Sequence, residues 1–561
     1  MTRRYHALLG VAGALVIAAG APSVLLAQQT DSAVKTGHQP SRKAKEAFDK
    51  AADQLKAKDT TAAVASLKRA IEADPDYRAA HEQFVKVTDD RMIVRDDSNY
   101  ARTQALATDA LLAQYAEWSK RFPKSAGVQF GIGSALTDAE DPRAKPYLLK
   151  AVALDPTIAE AYGDLSSDAQ RWGDDAQARD YQRKASAAEP TNPNYTFYHA
   201  MDVEYTDPPH WADTIRALAK RFPTSERGAQ GLFWLGERSE SDSEKAAVFE
   251  ELRTQFPPAK FNWSENGMEG LFDVYERMAP DKALPLAQDM LRTIANAGDQ
   301  KTWAADVVFA QNLAMARDLV REHKDAAASA VLEATQISRY SGNAEMFALL
   351  RAQAADAAGK TKMAFDTLVA RFAKTPSDSV HAAILRYATK LQKSPAQADS
   401  AVWAVRAKGA TPAPAFKLAT YPVSKDSMSL ADYKGKVVLL TFWFPGCGPC
   451  RGEFPHFQKV VGSFQGRPVA YVGINVERDQ DPYVAPFMQG TRYTFTPLAE
   501  SGTATTNAYH VRGEPTNFLI DQQGRIVFTD FSITNAKSER MLTLMIQSML
   551  DHPAPEAARG R

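Results

Sequence analysis

The chain has 561 residues, of which 45% are hydrophobic and 24% are charged. This length favours roughly three or four domains, and the composition is typical of a folded globular protein rather than a disordered one. The 67 basic and 67 acidic residues balance. That balance argues against a general nucleic-acid binder and a strongly basic membrane-surface protein. Having only two cysteines, Cys447 and Cys450, excludes a disulfide-rich scaffold and a four-cysteine metal site.

The N-terminus has the pattern of an export signal. Arg3 and Arg4 precede an apolar run over residues 7–27, and a polar stretch follows. We therefore predict a signal peptide at 1–27, cleaved after Ala27, and a flexible leader at 28–41. An uncleaved membrane anchor is the alternative, because the run is about 20 residues long. Either reading predicts an exported protein of the periplasm or cell envelope, where two free thiols need a function.

A repeat of 33 or 34 residues follows the leader. Each unit has a helical pattern that ends shortly before a proline, at Pro123, Pro156, Pro190, Pro223 and Pro257. Alanines occupy fixed positions before several of these prolines. Small residues let two helices approach closely, and proline ends the second one. This pattern resembles the tetratricopeptide repeat, although residues 79–124 are less regular. We predict an all-α, TPR-like solenoid over 42–408, whose concave surface binds client or partner proteins.

The hydrophobic pattern changes near residue 409. Continuous apolar runs at Val437–Trp443 and 468–476 predict buried strands, and the segment around Gly524 predicts a hairpin. Helical patterns fall at about 449–464, 481–488, 503–509 and 536–550. Strands alternating with helices predict an α/β domain at 409–552, with a short tail at 553–561.

The two cysteines lie between the first strand and its helix, in Cys447-Gly448-Pro449-Cys450. A thiol at a helix N-terminus is favoured as the thiolate by the unpaired N–H groups and the helix dipole. The second thiol lies one turn away, which suits thiol–disulfide exchange: Cys447 attacks a substrate disulfide and Cys450 resolves the mixed disulfide. Gly448 and Pro449 form the active-site loop between them.

Residues 413–550 resemble the TlpA/ResA-like exported thiol–disulfide oxidoreductases of the thioredoxin superfamily. The resemblance rests on CGPCRGEFP, on VRGEPTNFLIDQQGRIVF and on an N-terminal hairpin. It implies a thioredoxin-like fold, with Pro515 as the family's cis-proline beside the cysteines. Glu514, Pro515 and Trp443 would then contribute to substrate binding.

Two positions depart from thioredoxin. Thr441 stands in place of its buried aspartate, and Gly446 in place of the tryptophan before the first cysteine. Glu453 matches a glutamate of the ResA-like group. We therefore predict that Glu453 is the proton acceptor for Cys450, since it lies three residues farther along the same helix face.

The predicted function is disulfide reduction or exchange on envelope proteins. The expected partners are disulfide-containing protein substrates, an electron-donating thiol–disulfide partner and proteins bound by the array. No cofactor, metal or nucleic acid is expected. The alternatives are a structural disulfide, half a zinc site completed by His456 and His510, a scaffold with a docking thioredoxin-like domain, and a disulfide isomerase or oxidase.

Overall fold

The computed structural model describes residues 38–94, 99–338, 341–422, 426–500 and 502–552. The predicted signal peptide at 1–27, most of the leader at 28–41 and the tail at 553–561 lie outside these residues. None of the helices in the described ranges is long and apolar enough to cross a membrane.

The first part of the chain is an array of helices, each packed mainly on its neighbours in sequence. Its helices α1 to α20 are Arg42–Lys56, Thr60–Ala73, Arg78–Met92, Tyr100–Arg121, Ala126–Asp138, Ala144–Leu154, Ala159–Arg171, Asp175–Ala188, Pro193–Thr206, Trp211–Arg221, Glu226–Glu237, Asp242–Gln255, Asn262–Met278, Pro280–Thr293, Ala297–Arg321, Asp325–Ala334, Ala344–Ala357, Thr361–Lys374, Asp378–Lys390 and Pro395–Gly409. This arrangement confirms the prediction of an all-helical repeat array ahead of the α/β part.

The repeated prolines mark the ends of alternate helices. Each lies two residues beyond the end of an even-numbered helix, from Pro75 after α2 to Pro257 after α12. The irregular stretch before Pro123 has a structural cause, because α4 is 22 residues long, whereas α6, α8 and α10 have 11 to 14. The repeated alanines are buried between paired helices: Ala63, Ala70, Ala144, Ala151, Ala178 and Ala185. Small side chains at these places permit close helix packing.

The second part is a mixed eight-stranded sheet with helices packed on it. Its strands β1 to β8 are Thr411–Pro412, Lys417–Thr420, Ser427–Ser429, Val437–Trp443, Val469–Asn475, Thr496–Ala499, Thr516–Ile520 and Arg525–Thr529. Their order is β1-β8-β7-β4-β5-β6-β2-β3. Strands β4, β5 and β6 are parallel, and β7 runs antiparallel to β4. All seven residues of the central strand β4 are buried, as its continuous apolar pattern predicts.

The helices of this domain place the cysteine motif at one end of β4. Helices α21 to α24 are Gly448–Gly462, Asp481–Thr491, Ala504–Ala508 and Ala536–Leu550. Helix α21 begins directly after the loop that leaves β4, and α24 packs beside it. The hairpin prediction is confirmed too, because β7 and β8 pair on either side of Gly524, which has the positive φ of +77° that glycine tolerates.

The array and the sheet domain are in close contact at several places. Only Ala410 separates α20 from β1. Arg406 of α20 is buried, donates to the carbonyl oxygens of Phe372 and Ala373, and lies 5.2 Å from the ring centre of Phe528 in β8. Another contact joins α7 to α22, near the cysteine motif. The helical array and the sheet domain therefore pack against each other.

Candidate active site

The cysteines are positioned by the transition from β4 to α21. Cys447 is the N-cap of the helix, and its Sγ accepts a hydrogen bond of 3.2 Å from the N–H of Cys450. The two residues form a disulfide, with their Cα atoms 5.3 Å apart. Gly448 and Pro449 occupy the first turn, where proline leaves no N–H unpaired. The helix N-terminus is thus directed at the sulfur that the sequence predicts to be the nucleophile.

Both sulfurs lie in the hydrophobic core of the domain. Cys447 is 2% exposed and Cys450 is fully buried. Trp443 is buried among the rings of Phe454, Phe487 and Phe495, at centroid distances of 5.0 to 5.4 Å. Trp443 thus packs in the same core cluster as the two cysteines.

Glu453 is an acid enclosed in this core. It is 1% exposed, and its carboxylate accepts hydrogen bonds from the Ser532 hydroxyl, the Asn517 amide at 2.8 Å and the N–H of Ile533 at 3.1 Å. Burial raises the pKa of Glu453 to about 7, and the bonds from Ser532, Asn517 and Ile533 act in the opposite direction. An acid with this pKa can gain and lose a proton near neutral pH.

A polar chain links Glu453 to the central strand. Thr441 of β4 lies opposite Asn517 of β7, and its hydroxyl donates to the Asn517 side-chain oxygen at 2.7 Å. The Asn517 amide also donates to the carbonyl of Phe531. Asn517 and Ser532 were not identified from the sequence, because nothing in their local pattern shows that they contact Glu453. Thr441, at the position of thioredoxin's aspartate, thus connects through Asn517 to the acid on α21.

The predicted substrate-binding residues lie at the same end of the sheet. The peptide bond between Glu514 and Pro515 is cis. Phe442 pairs with Thr516, so Pro515 lies beside the end of β4 from which the cysteine loop departs. Glu514 is half-buried, and burial raises its pKa. The sheet register therefore brings Pro515 and the cysteine loop to the same end of the sheet.

Residues 410–529 match the model of the AhpC/TSA family. The thiol–disulfide oxidoreductase ResA of Halalkalibacterium halodurans is 28% identical over 132 residues, which cover 24% of this chain and 70% of ResA. ResA of Bacillus subtilis is 32% identical over 115 residues, covering 20% and 62% of the two chains. The C-terminal domain is a ResA-like thioredoxin-like domain. Across the relatives compared, the matched part spans 55% to 70% of their length.

A solved structure also matches a part of the chain. StoA of Bacillus subtilis is 27% identical, with a TM-score of 0.20, and the match covers 23% of this chain and 93% of StoA. The mixed sheet described above fits the thioredoxin-like assignment.

His456 belongs to a cluster of charged groups in the thioredoxin-like domain. His456, considered above as a zinc ligand, lies 2.7 Å from Glu539, which also accepts from Lys459. Within the described ranges, no group of three or more His, Cys, Asp or Glu side chains is placed to hold a metal ion. The candidate groups for chemistry at this site are the disulfide-bonded Cys447 and Cys450 and the buried acid Glu453.

Proposed function

We propose that the protein is an exported thiol–disulfide oxidoreductase that reduces or exchanges disulfides of envelope proteins through Cys447 and Cys450. The observation that carries this proposal is the cysteine pair at the start of α21, together with the buried titratable acid Glu453 on the same helix. The ResA-like relatives support the same class of reaction.

The proposed reaction starts from the reduced pair. The Cys447 thiolate attacks one sulfur of a substrate disulfide, which forms a mixed disulfide and releases the other substrate sulfur as a thiolate. Cys450 then loses its proton and attacks Cys447, which releases the second substrate thiolate. Two electrons pass to the substrate, and the two protons lost by the cysteines balance the two that the substrate thiols take up. An electron-donating thiol–disulfide partner regenerates the pair by the reverse steps.

Glu453 is the proposed acceptor of the Cys450 proton. Cys450 is fully buried, so its proton needs an internal base, and Glu453 lies three residues along the same helix. Its pKa of about 7 lies near the operating pH, where a general base is most effective. Asn517 and Ser532 hold the carboxylate in a fixed orientation.

Pro515 and Glu514 form the proposed substrate-binding edge. They precede β7 at the end of the sheet where the cysteine loop lies. An extended substrate segment placed along this edge would pair with backbone groups beside Cys447. Trp443 stabilises this site through its packing against Phe454 and Phe495.

The helical array is the proposed binding surface for clients or partners. A groove of about 1800 Å³ is lined by α11, α12, α13, α15 and α17 and reaches Asn535 and Lys537 of the thioredoxin-like domain. Its lining carries both signs of charge, including Asp273, Arg277 and Lys301, which suits a polar protein surface. A client held there would lie against both parts of the protein.

The proposed organisation of the chain follows the sequence pattern. It comprises a signal peptide at 1–27, a leader at 28–41, a TPR-like region at 42–408, a thioredoxin-like domain at 409–552 and a tail at 553–561. The apolar run after Arg3 and Arg4 supports export to the periplasm or cell envelope.

A Cys450→Ser variant tests the redox function. It keeps Cys447 but lacks the resolving thiol, so it should accumulate mixed disulfides with its substrates, seen as bands that disappear on reduction. The matched control is Cys447→Ser/Cys450→Ser, which should capture nothing. If the single variant forms no adducts in its native envelope, or if the double variant retains full function, the docking-scaffold alternative replaces the redox proposal.

The same trap tests the groove. Lys301 and Gln353 are exposed groove residues, and Lys301→Glu/Gln353→Glu in the Cys450→Ser background should lower the yield of adducts. Lys220→Glu, on an exposed position outside the groove lining, is the control. Equal adduct yields from the groove variant and the control would contradict client binding at the groove.

A further inference from the structure

A chain of hydrogen bonds runs from the array to the peptide before Cys447. Glu140, between α5 and α6, accepts a bond of 2.6 Å at Oε2 from the Gln480 amide. Gln480 Oε1 in turn accepts a bond of 2.6 Å from the N–H of Gly446. Gln480 is fully buried, so its amide has no solvent to replace these partners. The buried side chain of Gln480 thus links the array to the cysteine loop.

The absence of a side chain at Gly446 is what permits this contact. A Cβ at Gly446 would lie 3.0 Å from both amide atoms of Gln480 and 3.4 Å from Nε of Arg171. Glycine therefore leaves room for both groups beside the loop. Gly446 stands where thioredoxin has a tryptophan, and Gln480 and Arg171 lie in the space next to it.

Arg171 and Glu140 form an ion pair at this point. Arg171, at the end of α7, donates to Glu140 at 3.4 Å, and its side chain is 13% exposed. Glu140 has a φ of +54° because it lies in the turn that ends α5, where the N–H of Asp141 donates to the carbonyl of Leu136.

Separate contacts hold this part of the array in place on the thioredoxin-like domain. The Tyr483 hydroxyl of α22 donates to the buried carboxylate of Asp168 at 3.3 Å. Arg451, the residue after Cys450, forms an ion pair with Asp175 of α8. Close backbone packing between Gly173 and α22 leaves no room for a Cβ, which would lie 2.8 Å from the carbonyl oxygen of Phe487. The position of Glu140 over Gln480 therefore does not depend on one bond.

We propose that Glu140 and Arg171 of the array are positioning residues of the redox pair. Together with Gln480 they fix the peptide before Cys447 and place a matched ion pair beside it, so the array sets the redox equilibrium of Cys447 and Cys450. This inference rests on the proposed function for its biological meaning, although its test measures the cysteine pair directly.

The two charges predict opposite effects. The positive Arg171 stabilises a thiolate at Cys447 and hence the reduced pair, whereas the negative Glu140 opposes it. Arg171→Gln should therefore shift the equilibrium with glutathione toward the disulfide, and Glu140→Gln toward the dithiol. The nearby acids Glu477 and Glu514 remain in every variant. Each shift should be about threefold or more, which corresponds to about 14 mV.

The experiment uses the full chain and mass spectrometry of the oxidised and reduced forms at equilibrium with glutathione. Arg216→Gln, which breaks an array ion pair with Glu251 on another part of the surface, is the matched control and should leave the equilibrium unchanged. Far-UV circular dichroism checks that each variant is folded. Gln480→Met is a second variant that removes the link while keeping both charges, and it should change the equilibrium too.

Opposite shifts for Glu140→Gln and Arg171→Gln, with an unchanged control, support the proposal. Equilibria equal to that of the control overturn it, and shifts in the same direction overturn it too, because they would indicate only a loosened structure. The outcome is separable from the proposed function. A Cys450→Ser protein that captures no substrate would refute the function while these shifts could still occur.

Discussion

Replacing Glu453 by glutamine tests the effect of enclosing an acid in the core of the thioredoxin-like domain. Burial raises the pKa of Glu453 from 4.5 to about 7, so the folded protein holds this proton more tightly than the unfolded chain does. Between these two values the folded state binds more protons. The free energy of unfolding therefore falls as the pH rises through this window. Glutamine cannot titrate, so the variant should lack this component.

The size of the effect follows from the two pKa values. Each unit of difference corresponds to about 1.4 kcal/mol, so the full effect of Glu453 is about 3 kcal/mol. Most of it, about 2.5 kcal/mol, falls between pH 5 and pH 8. The free energy of unfolding of Glu453→Gln, relative to that of the unsubstituted protein, should therefore be about 2.5 kcal/mol higher at pH 8 than at pH 5, which means that the variant is relatively more stable at pH 8.

The assay is urea denaturation of the oxidised full-length protein at both pH values. Hydrogen exchange of the buried strand Val437–Trp443 reports on the thioredoxin-like domain alone. Asp432→Asn is the control, because hydrogen bonds from Ser429 lower the pKa of Asp432 and keep it ionised at both pH values. Its effect on stability should be equal at pH 5 and pH 8. If Glu453→Gln behaves like this control, Glu453 does not titrate in the window and the reasoning is wrong.

Three further substitutions test other contacts. Asn517→Ala removes a hydrogen bond that lowers the pKa of Glu453, so infrared difference spectra of the carboxyl group should show a pKa above about 7. Arg406→Met removes two bonds to backbone carbonyls at the junction of the two parts and should lower the free energy of unfolding by about 2 to 4 kcal/mol in urea titrations. Gly173→Ala places a Cβ 2.8 Å from the carbonyl oxygen of Phe487 at a φ of +74°, and hydrogen exchange should show reduced protection of α22.

The fold could be predicted from the sequence where one periodic pattern governs a whole element. The run Val437–Trp443 is apolar throughout because a central strand is covered on both faces, and all seven residues are buried. The array could be recognised because each repeat buries the same positions, such as Ala151 and Ala185. The irregular stretch before Pro123 could not be resolved from spacing, since a long α4 changes the period without changing the helical pattern.

The surroundings of the candidate site could be predicted only in part. Cys447, Cys450 and Glu453 share one helix, so their spacing in sequence indicates their spacing in space. The partners of Glu453 are different, because Asn517 and Ser532 lie 64 and 79 residues away in the chain. Contacts at such separations leave no periodic signal in a single sequence.

The two departures from thioredoxin show how such distant contacts can still be anticipated. At Thr441 a charged residue is missing, and the structure supplies a carboxylate from Glu453 through Asn517. At Gly446 a large ring is missing, and Gln480 and Arg171 enter the space. In both cases the family's usual side chain is missing at the motif position, and side chains from distant parts of the sequence occupy the space or supply the charge. A motif position that departs from its family is therefore a reason to look for a contact specific to this chain, and at Gly446 that contact comes from the helical array.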